Sequence, residues 1–273
     1  MPELPEVETI RRQLAPRLTG RTVVEADSHG SDKFRPAREI AGAEFTGTGR
    51  RGKYLLIDLD HPAAGEPGRQ LIVHLGMTGA LSFAGADDPI GDHVRAHWLL
   101  DDNNRLLFTD VRRFGRLRVV ATGEYDDIPT LAAMGPEPFD PAFTADHLWR
   151  ALRNSDRMVK TQLLSQRPVA GVGNIYADEA LFLAGIDPAA RRVSRERAAR
   201  LRDRIEEVLT HGLQRGGTTL RDYRTVDGAA GENQFHLVCY GRADEPCVRC
   251  GEPLRRKVLD ARTTTWCPIC QRC

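Results

Sequence analysis

After Pro5, the apolar residues Val7, Ile10, Leu14 and Leu18 recur at steps of three and four, the spacing of a helix packed by one face. The pattern then shortens. Between residues 22 and 121, β-rich runs at 53–59, 70–74, 105–109 and 116–120 are separated by Gly, Pro, Asp and Asn, which predicts a β-sandwich or barrel. Pro129, Pro136, Pro138 and Pro141 punctuate residues 128–141, so neither element continues through them and a domain boundary is expected there. Helical periods return at 143–153, 158–166 and 175–184. A long helix then runs from Ser194 through Leu201, Ile205, Val208, Leu209 and Leu213 to Gly216-Gly217. A Gly-rich polar stretch at 216–231 follows, expected to be mobile, and a cysteine-rich hairpin closes the chain. The expected organisation is a β domain over 1–130, a helical domain over 131–240 and a cysteine-rich module over 241–273. No internal repeat is visible.

With 273 residues and 41% hydrophobic content, the chain has material for about two domains with real cores. No run approaches the roughly 18 apolar residues of a membrane span, and the acidic start with Glu3 and Glu6 does not resemble a signal peptide's basic region. A cytoplasmic protein with no membrane partner is expected. The net charge of +1 leaves attraction to a polyanion to local patches. One runs from Arg191 to Arg204 and reads as a solvated helix face interleaved with Glu196, Asp203, Glu206 and Glu207. The other gathers Arg249, Arg255, Arg256, Lys257 and Arg262.

Four of the six cysteines fall as Cys247-x-x-Cys250 and Cys267-x-x-Cys270, a spacing that lets two knuckles present four thiolates to one Zn²⁺. Four thiolates fill the ion's coordination shell, so the zinc is expected to be structural. Pro246-Cys247-Val248-Arg249-Cys250 matches half of a zinc-deaminase signature. None of the eight histidines is followed two residues later by the required glutamate, which excludes that chemistry. Cys239 and Cys273 are expected to be free thiols without a role.

Removal of Met1 would make the secondary amine of Pro2 the chain terminus, with Glu3 beside it. An α-amino group titrates at about 7.7 to 8.0, so part of it is nucleophilic near neutral pH. Its attack on an aldehyde-like sugar carbon gives an iminium with no N–H proton to lose, which favours elimination. The same hexapeptide also suits a plain helix entry.

The Pro2-Glu3-Leu4-Pro5-Glu6 start resembles the bacterial formamidopyrimidine-DNA glycosylase family, as do His74-Leu75-Gly76-Met77, Asp110-Val111-Arg112-Arg113-Phe114-Gly115, the stretch from Val169 to Tyr176 and Cys267-Pro268-Ile269-Cys270-Gln271. The resemblance implies an α+β protein: an N-terminal β-sandwich with flanking helices, then a helix-two-turn-helix domain ending in a four-cysteine zinc-finger β-hairpin. It implies removal of oxidised purines from damaged double-stranded DNA, followed by strand cleavage through β,δ-elimination; on the DNA a monomer is expected. On that resemblance Pro2 attacks C1′ and Glu3 helps open the sugar. Lys53 transfers a proton or contacts phosphate. Arg262 clamps the phosphate beside the lesion. Met77, Arg112 and Phe114 fill the gap left by a flipped base. His93, Arg113, Arg157, Lys160 and Asn174 contact the DNA backbone. Glu6 suits the positive end of the helix. Ala261 stands where many relatives carry glycine. Two other readings stay open: an endonuclease VIII-like enzyme for oxidised pyrimidines, against which Leu4 and Arg112-x-Phe114 argue, and a non-catalytic zinc protein that binds damaged DNA.

Overall fold

The computed structural model describes residues 1–60 and 68–272, so Cys273 lies outside the described residues. By internal contacts the chain divides into two compact units, Met1–Ala132 with Arg215–Glu232, and Ala133–Gln214 with Asn233–Cys273. The cysteine hairpin therefore groups with the helices, and the Gly-rich stretch groups with the N-terminal residues.

In the first unit, helix α1 (Leu4–Leu18) buries Val7, Ile10, Leu14 and Leu18, the predicted stripe. Eight antiparallel strands follow: β1 (Arg21–Ser28), β2 (Glu44–Arg51), β3 (Tyr54–Asp60), β4 (Arg69–His74), β5 (Gly79–Gly85), β6 (Val94–Leu100), β7 (Asn104–Asp110) and β8 (Arg116–Ala121). Their order is β5-β7-β6-β1-β2-β3-β4-β8. Strand β1 pairs with β6 from Val23 to Ser28 but with β2 only at Arg21↔Phe45 and Thr22↔Glu44. That narrow seam separates two four-stranded layers. Leu55, Ile57, Leu71, Val73 and Leu117 of one layer share a core cluster with Leu81, Ala96, Trp98, Leu106 and Phe108 of the other, the expected sandwich.

The stretch expected to be mobile is tied to α1. Tyr223 and Val226 belong to the same core cluster, Val226 N donates to Gln13 Oε1 at 2.9 Å, and Arg17 pairs with Asp227 at 3.0 Å. Two apolar anchors are enough to seat a stretch that is otherwise glycine-rich and polar.

The first unit's own sequence ends in a short helix α2 (Pro129–Ala132), followed in the second unit by α3 (Ala145–Arg153), α4 (Val159–Leu164), α5 (Asn174–Ala184) and α6 (Arg195–Gln214). Helix α5 is buried almost all round, with Ile175, Tyr176, Ala177, Ala180, Leu181 and Phe182 inside. Helix α6 buries Ala198, Leu201, Ile205, Val208 and Leu209 and carries Arg200–Glu196, Arg202–Glu206 and Arg204–Glu207 ion pairs, the expected solvated face. Strands β9 (Arg255–Leu259) and β10 (Arg262–Trp266) form the terminal hairpin. Among the described residues no helix is long and apolar enough to cross a membrane.

Asp260 and Ala261 turn this hairpin with φ of +44° and +59°, the left-handed pair of a type I′ turn. A left-handed alanine costs about 1 kcal/mol, only partly offset by the lower backbone entropy it brings to the unfolded chain. Ala261→Gly is accordingly expected to raise the unfolding free energy by roughly 0.5 kcal/mol, measured by thermal or urea denaturation of the metal-loaded protein.

Candidate active site and metal centre

Pro2 is buried, and Glu3 and Glu6 are 2% and 1% exposed at the head of α1. Glu3 occupies the N-cap, where the helix's first N–H groups lack intrahelical acceptors. The Glu6 carboxylate reaches back to accept from Glu3 N at 2.7 Å. Its other oxygen accepts from Thr218 N, also at 2.7 Å. Glu6 thus does more than charge the helix end: it joins the chain's first residues to the 215–232 segment. Gly217 makes room for this contact. With φ of +87°, it approaches so closely that a Cβ there would lie 2.9 Å from Glu6 Oε1.

Lys53 follows Gly52 in the β2–β3 turn and is 6% exposed. Arg50 holds that turn by donating to Gly52 O at 3.0 Å while its Nε lies 3.3 Å from Glu8 Oε2 on α1. Burial alone would push the Glu8 carboxyl up, but hydrogen bonds from Arg11 and Arg12 and the nearby Arg50 charge bring it down to about 2. His74, across the ladder from Tyr54, is pulled down to about 4 by burial and by the Lys53 and Arg116 charges, so it is neutral near pH 7. Its Nδ1 accepts from Gly76 N at 3.2 Å.

Met77, Arg112 and Phe114 are all exposed, the first and last by 39% and 48%. Two turns bring them together. A Cβ on Gly76 would lie 2.5 Å from Gly115 N, so the backbones of 75–79 and 111–115 touch. The fully buried Asp110 carboxylate clamps both, accepting from Gly115 N at 2.7 Å and from the Thr78 hydroxyl, whose oxygen in turn accepts from Arg112 N at 3.0 Å. The Arg112 guanidinium carbon lies 4.9 Å from the centre of the Phe114 ring. Nothing local in the sequence signals this role of Asp110, because its partners Thr78 and Gly115 meet it only in the folded chain. His93 and Arg113 are exposed, Arg113 beside Arg112 and His93 with its carbonyl accepting from Asp110 N at 2.9 Å. His93 Nδ1 lies 3.4 Å from Arg95 Nη2, and Arg113 O accepts from Lys33 Nζ at 2.9 Å.

In the second unit, Arg262 is exposed at the start of β10 and Arg157 is exposed ahead of α4. Asn174 opens α5 after Gly173 and donates from Nδ2 to Thr263 O at 3.1 Å. Lys160 requires a correction. The resemblance assigns it a DNA contact, but its side chain is 1% exposed and its ammonium lies 2.6 Å from Asp178 Oδ1. That ammonium also donates to Thr263 O at 3.1 Å and Thr264 Oγ1 at 2.9 Å, which places it in the interior. Asp178 Oδ2 accepts from Thr265 N at 3.0 Å. Burial pushes the Asp178 carboxyl up to about 6 against the pull of Lys160.

The Sγ atoms of Cys247, Cys250, Cys267 and Cys270 all lie within 4.8 Å of one another. Cys250–Cys267 and Cys247–Cys270 are 3.5 and 3.9 Å apart, on either side of the about 3.8 Å edge of a tetrahedron with 2.3 Å metal–sulfur bonds. The four residues therefore fit a closed metal site. Cys239 is buried and donates its S–H to Thr265 O at 3.1 Å. Glu179 fixes the approach to the knuckles by accepting from the backbone N–H groups of Val238, Cys239 and Tyr240 at 2.7–3.0 Å.

Three known protein-family domains match the chain in succession. The formamidopyrimidine-DNA glycosylase N-terminal domain matches residues 1–117, the formamidopyrimidine-DNA glycosylase H2TH domain 134–224, and the zinc finger found in FPG and IleRS 244–272. The formamidopyrimidine-DNA glycosylase of Moorella thermoacetica is 46% identical, over 94% of each chain. The crystal structure of the MutM (Fpg) protein from Thermus thermophilus superposes with a TM-score of 0.89 at 43% identity, covering 99% of this chain and 98% of that one. A Lactococcus lactis FPG mutant, crystallised with a Fapy-dG containing DNA, also reaches 0.89, at 33% identity over 99% and 100% of the two chains. The chain belongs to the formamidopyrimidine-DNA glycosylase family, the DNA glycosylases of base excision repair.

Asp110→Ala is expected to lower the unfolding free energy by about 1–3 kcal/mol, because it leaves the buried Gly115 N–H and the Thr78 hydroxyl without their acceptor; urea denaturation measures it. The low-lying Glu8 carboxyl adds stability that is fully present above its unfolded value of 4.5 and is lost as pH falls toward about 2. Melting temperature followed from pH 5 to 2 should therefore fall less steeply in Glu8→Gln than in the unsubstituted protein.

Proposed function

We propose that this chain excises oxidised purines, 8-oxoguanine and formamidopyrimidines among them, from duplex DNA through a Schiff base on Pro2. It then cuts the strand by β,δ-elimination. The observation that carries this reading is the burial of Pro2 and Glu3 at the head of α1, where Glu6 holds the backbone of Glu3.

With Met1 removed, the Pro2 nitrogen attacks C1′ and the bond from C1′ to the base breaks, the base leaving with a proton. Glu3 protonates the ring oxygen, the sugar opens, and Pro2 and C1′ are left joined as an iminium. The cation acidifies C2′–H. Loss of that proton expels the 3′ phosphate, and loss of the C4′ proton then expels the 5′ phosphate. Lys53 moves a proton in the first elimination or holds a phosphate, and the 215–232 segment that Glu6 meets covers the extruded base. Arg262 is always charged, so it acts as a clamp on the phosphate rather than as an acid.

Met77, Arg112 and Phe114 fill the space left by the extruded base, with Arg112 donating to the orphaned cytosine and Phe114 stacking. Their mutual clamping by Asp110 supports this role. His93, Arg113, Arg157 and Asn174 meet backbone phosphates. Cys247, Cys250, Cys267 and Cys270 hold one Zn²⁺, which stiffens the hairpin bearing Arg262 and takes no part in the chemistry.

Borohydride reduction on a duplex carrying 8-oxoguanine opposite cytosine is expected to trap a covalent complex whose adducted peptide begins at Pro2. Intact binding with no trapped complex would leave a damage-binding zinc protein. Retained Met1 in the active enzyme would overturn the Schiff base on Pro2, and faster cleavage of a thymine-glycol duplex would reassign the chain to oxidised pyrimidines.

A further inference from the structure

Lys160 is a fully buried cation on α4, and its ammonium reaches the terminal hairpin. It donates to Thr263 O and to Thr264 Oγ1, the two residues that follow Arg262. Its counter-ion Asp178, on α5, accepts from the backbone N–H of Thr265. Asn174 Nδ2 donates to the same carbonyl, Thr263 O. At the other side of the turn, the Thr161 hydroxyl, one residue beyond Lys160, donates to the Asp260 carboxylate. Three consecutive residues of β10 are thus held by one ion pair between two helices. Among the described residues the strand pairs only with β9, with no third strand to set its position.

We propose that Lys160 and Asp178 are positioning residues for Arg262: the buried ion pair fixes the β10 backbone so that the guanidinium meets a phosphate without reorganisation. This rests on the reading of Arg262 as the phosphate clamp. Burying a charged pair is costly unless further hydrogen bonds complete it, and here the bonds at Thr263, Thr264 and Thr265 all go to β10. Lys160 acts through the hairpin and makes no phosphate contact of its own. The arrangement also couples Asn174 to Arg262, because both meet at Thr263 and shift together if that carbonyl moves.

A double-mutant cycle separates this role from a direct DNA contact. Lys160→Met, Arg262→Ala and the double variant are compared, each with its zinc content and melting temperature measured. Two quantities are read: the salt dependence of binding to a duplex with a stable abasic-site analogue, and the ratio of δ- to β-elimination product on an abasic duplex. Arg262→Ala is expected to reduce the slope of log K against log salt by about 0.9, the loss of one phosphate contact. Lys160→Met is expected to reduce it by no more than that, and to lower the δ-product share roughly 10- to 100-fold, as a misplaced clamp would. The double variant should match Arg262→Ala in both quantities.

A further slope decrease of about 0.9 in the double variant would show that Lys160 meets a phosphate itself, and would overturn the proposal. Wild-type behaviour of Lys160→Met beside an impaired Arg262→Ala would overturn it as well. If Arg262→Ala alone changes neither quantity, the clamp reading of Arg262 falls first and the positioning role falls with it. Should Lys160→Met lose zinc or fail to fold, Asp178→Asn enters the same cycle, since its single acceptor oxygen cannot meet both the Lys160 ammonium and Thr265 N, whereas the Lys160 bonds to Thr263 and Thr264 are left in place.

Discussion

A carboxylate taken out of water must be met by donors that hold still, and in this chain four such groups do the joining. Glu6 binds the backbone at Glu3 and at Thr218, 212 residues further along. Asp110 binds the two turns that carry Met77, Arg112 and Phe114. Asp178, with Lys160, binds the strand that begins at Arg262, and Glu179 binds the three backbone N–H groups leading to the zinc knuckles. Losing one would leave buried donors without an acceptor, and at Asp178 the Lys160 charge as well.

This economy explains why loops can carry the chemistry here. Met77, Arg112 and Phe114 stand exposed on turns, where side chains ordinarily wander, yet their backbones touch at Gly76 and Gly115 and share Asp110. Arg262 stands exposed beside a two-residue turn, yet the three residues after it are held from within, two by their backbone and Thr264 by its hydroxyl. The segment after α6 combines glycines, which allow close approach to Glu6, with Tyr223 and Val226, which seat it in the core. In each case rigidity comes from the interior and the reactive group faces outward.

Features written in local spacing were legible from the residues alone. The three-and-four step of Val7, Ile10, Leu14 and Leu18 predicts α1 because burying one helix face needs only that period. Two Cys-x-x-Cys pairs predict a metal centre because a knuckle's geometry is set within four residues. Strands such as β3 and β4 showed as apolar runs, whereas β2, with Thr48 between Gly47 and Gly49, carries little side-chain signal and is held chiefly by its partner β3.

By itself, then, the sequence determined the sandwich-then-helices order, the proline at position two and the four thiolates, all of which depend on composition and near neighbours. Only the tertiary structure decided that Lys160 turns inward to Asp178, that Glu6 reaches Thr218, that Asp110 serves two turns and that residues 215–232 pack with α1. A lysine reads the same in a string of letters whether it faces water or a buried carboxylate. The difference lies in desolvation and in partners dozens to hundreds of residues away, which exist only once the chain has folded.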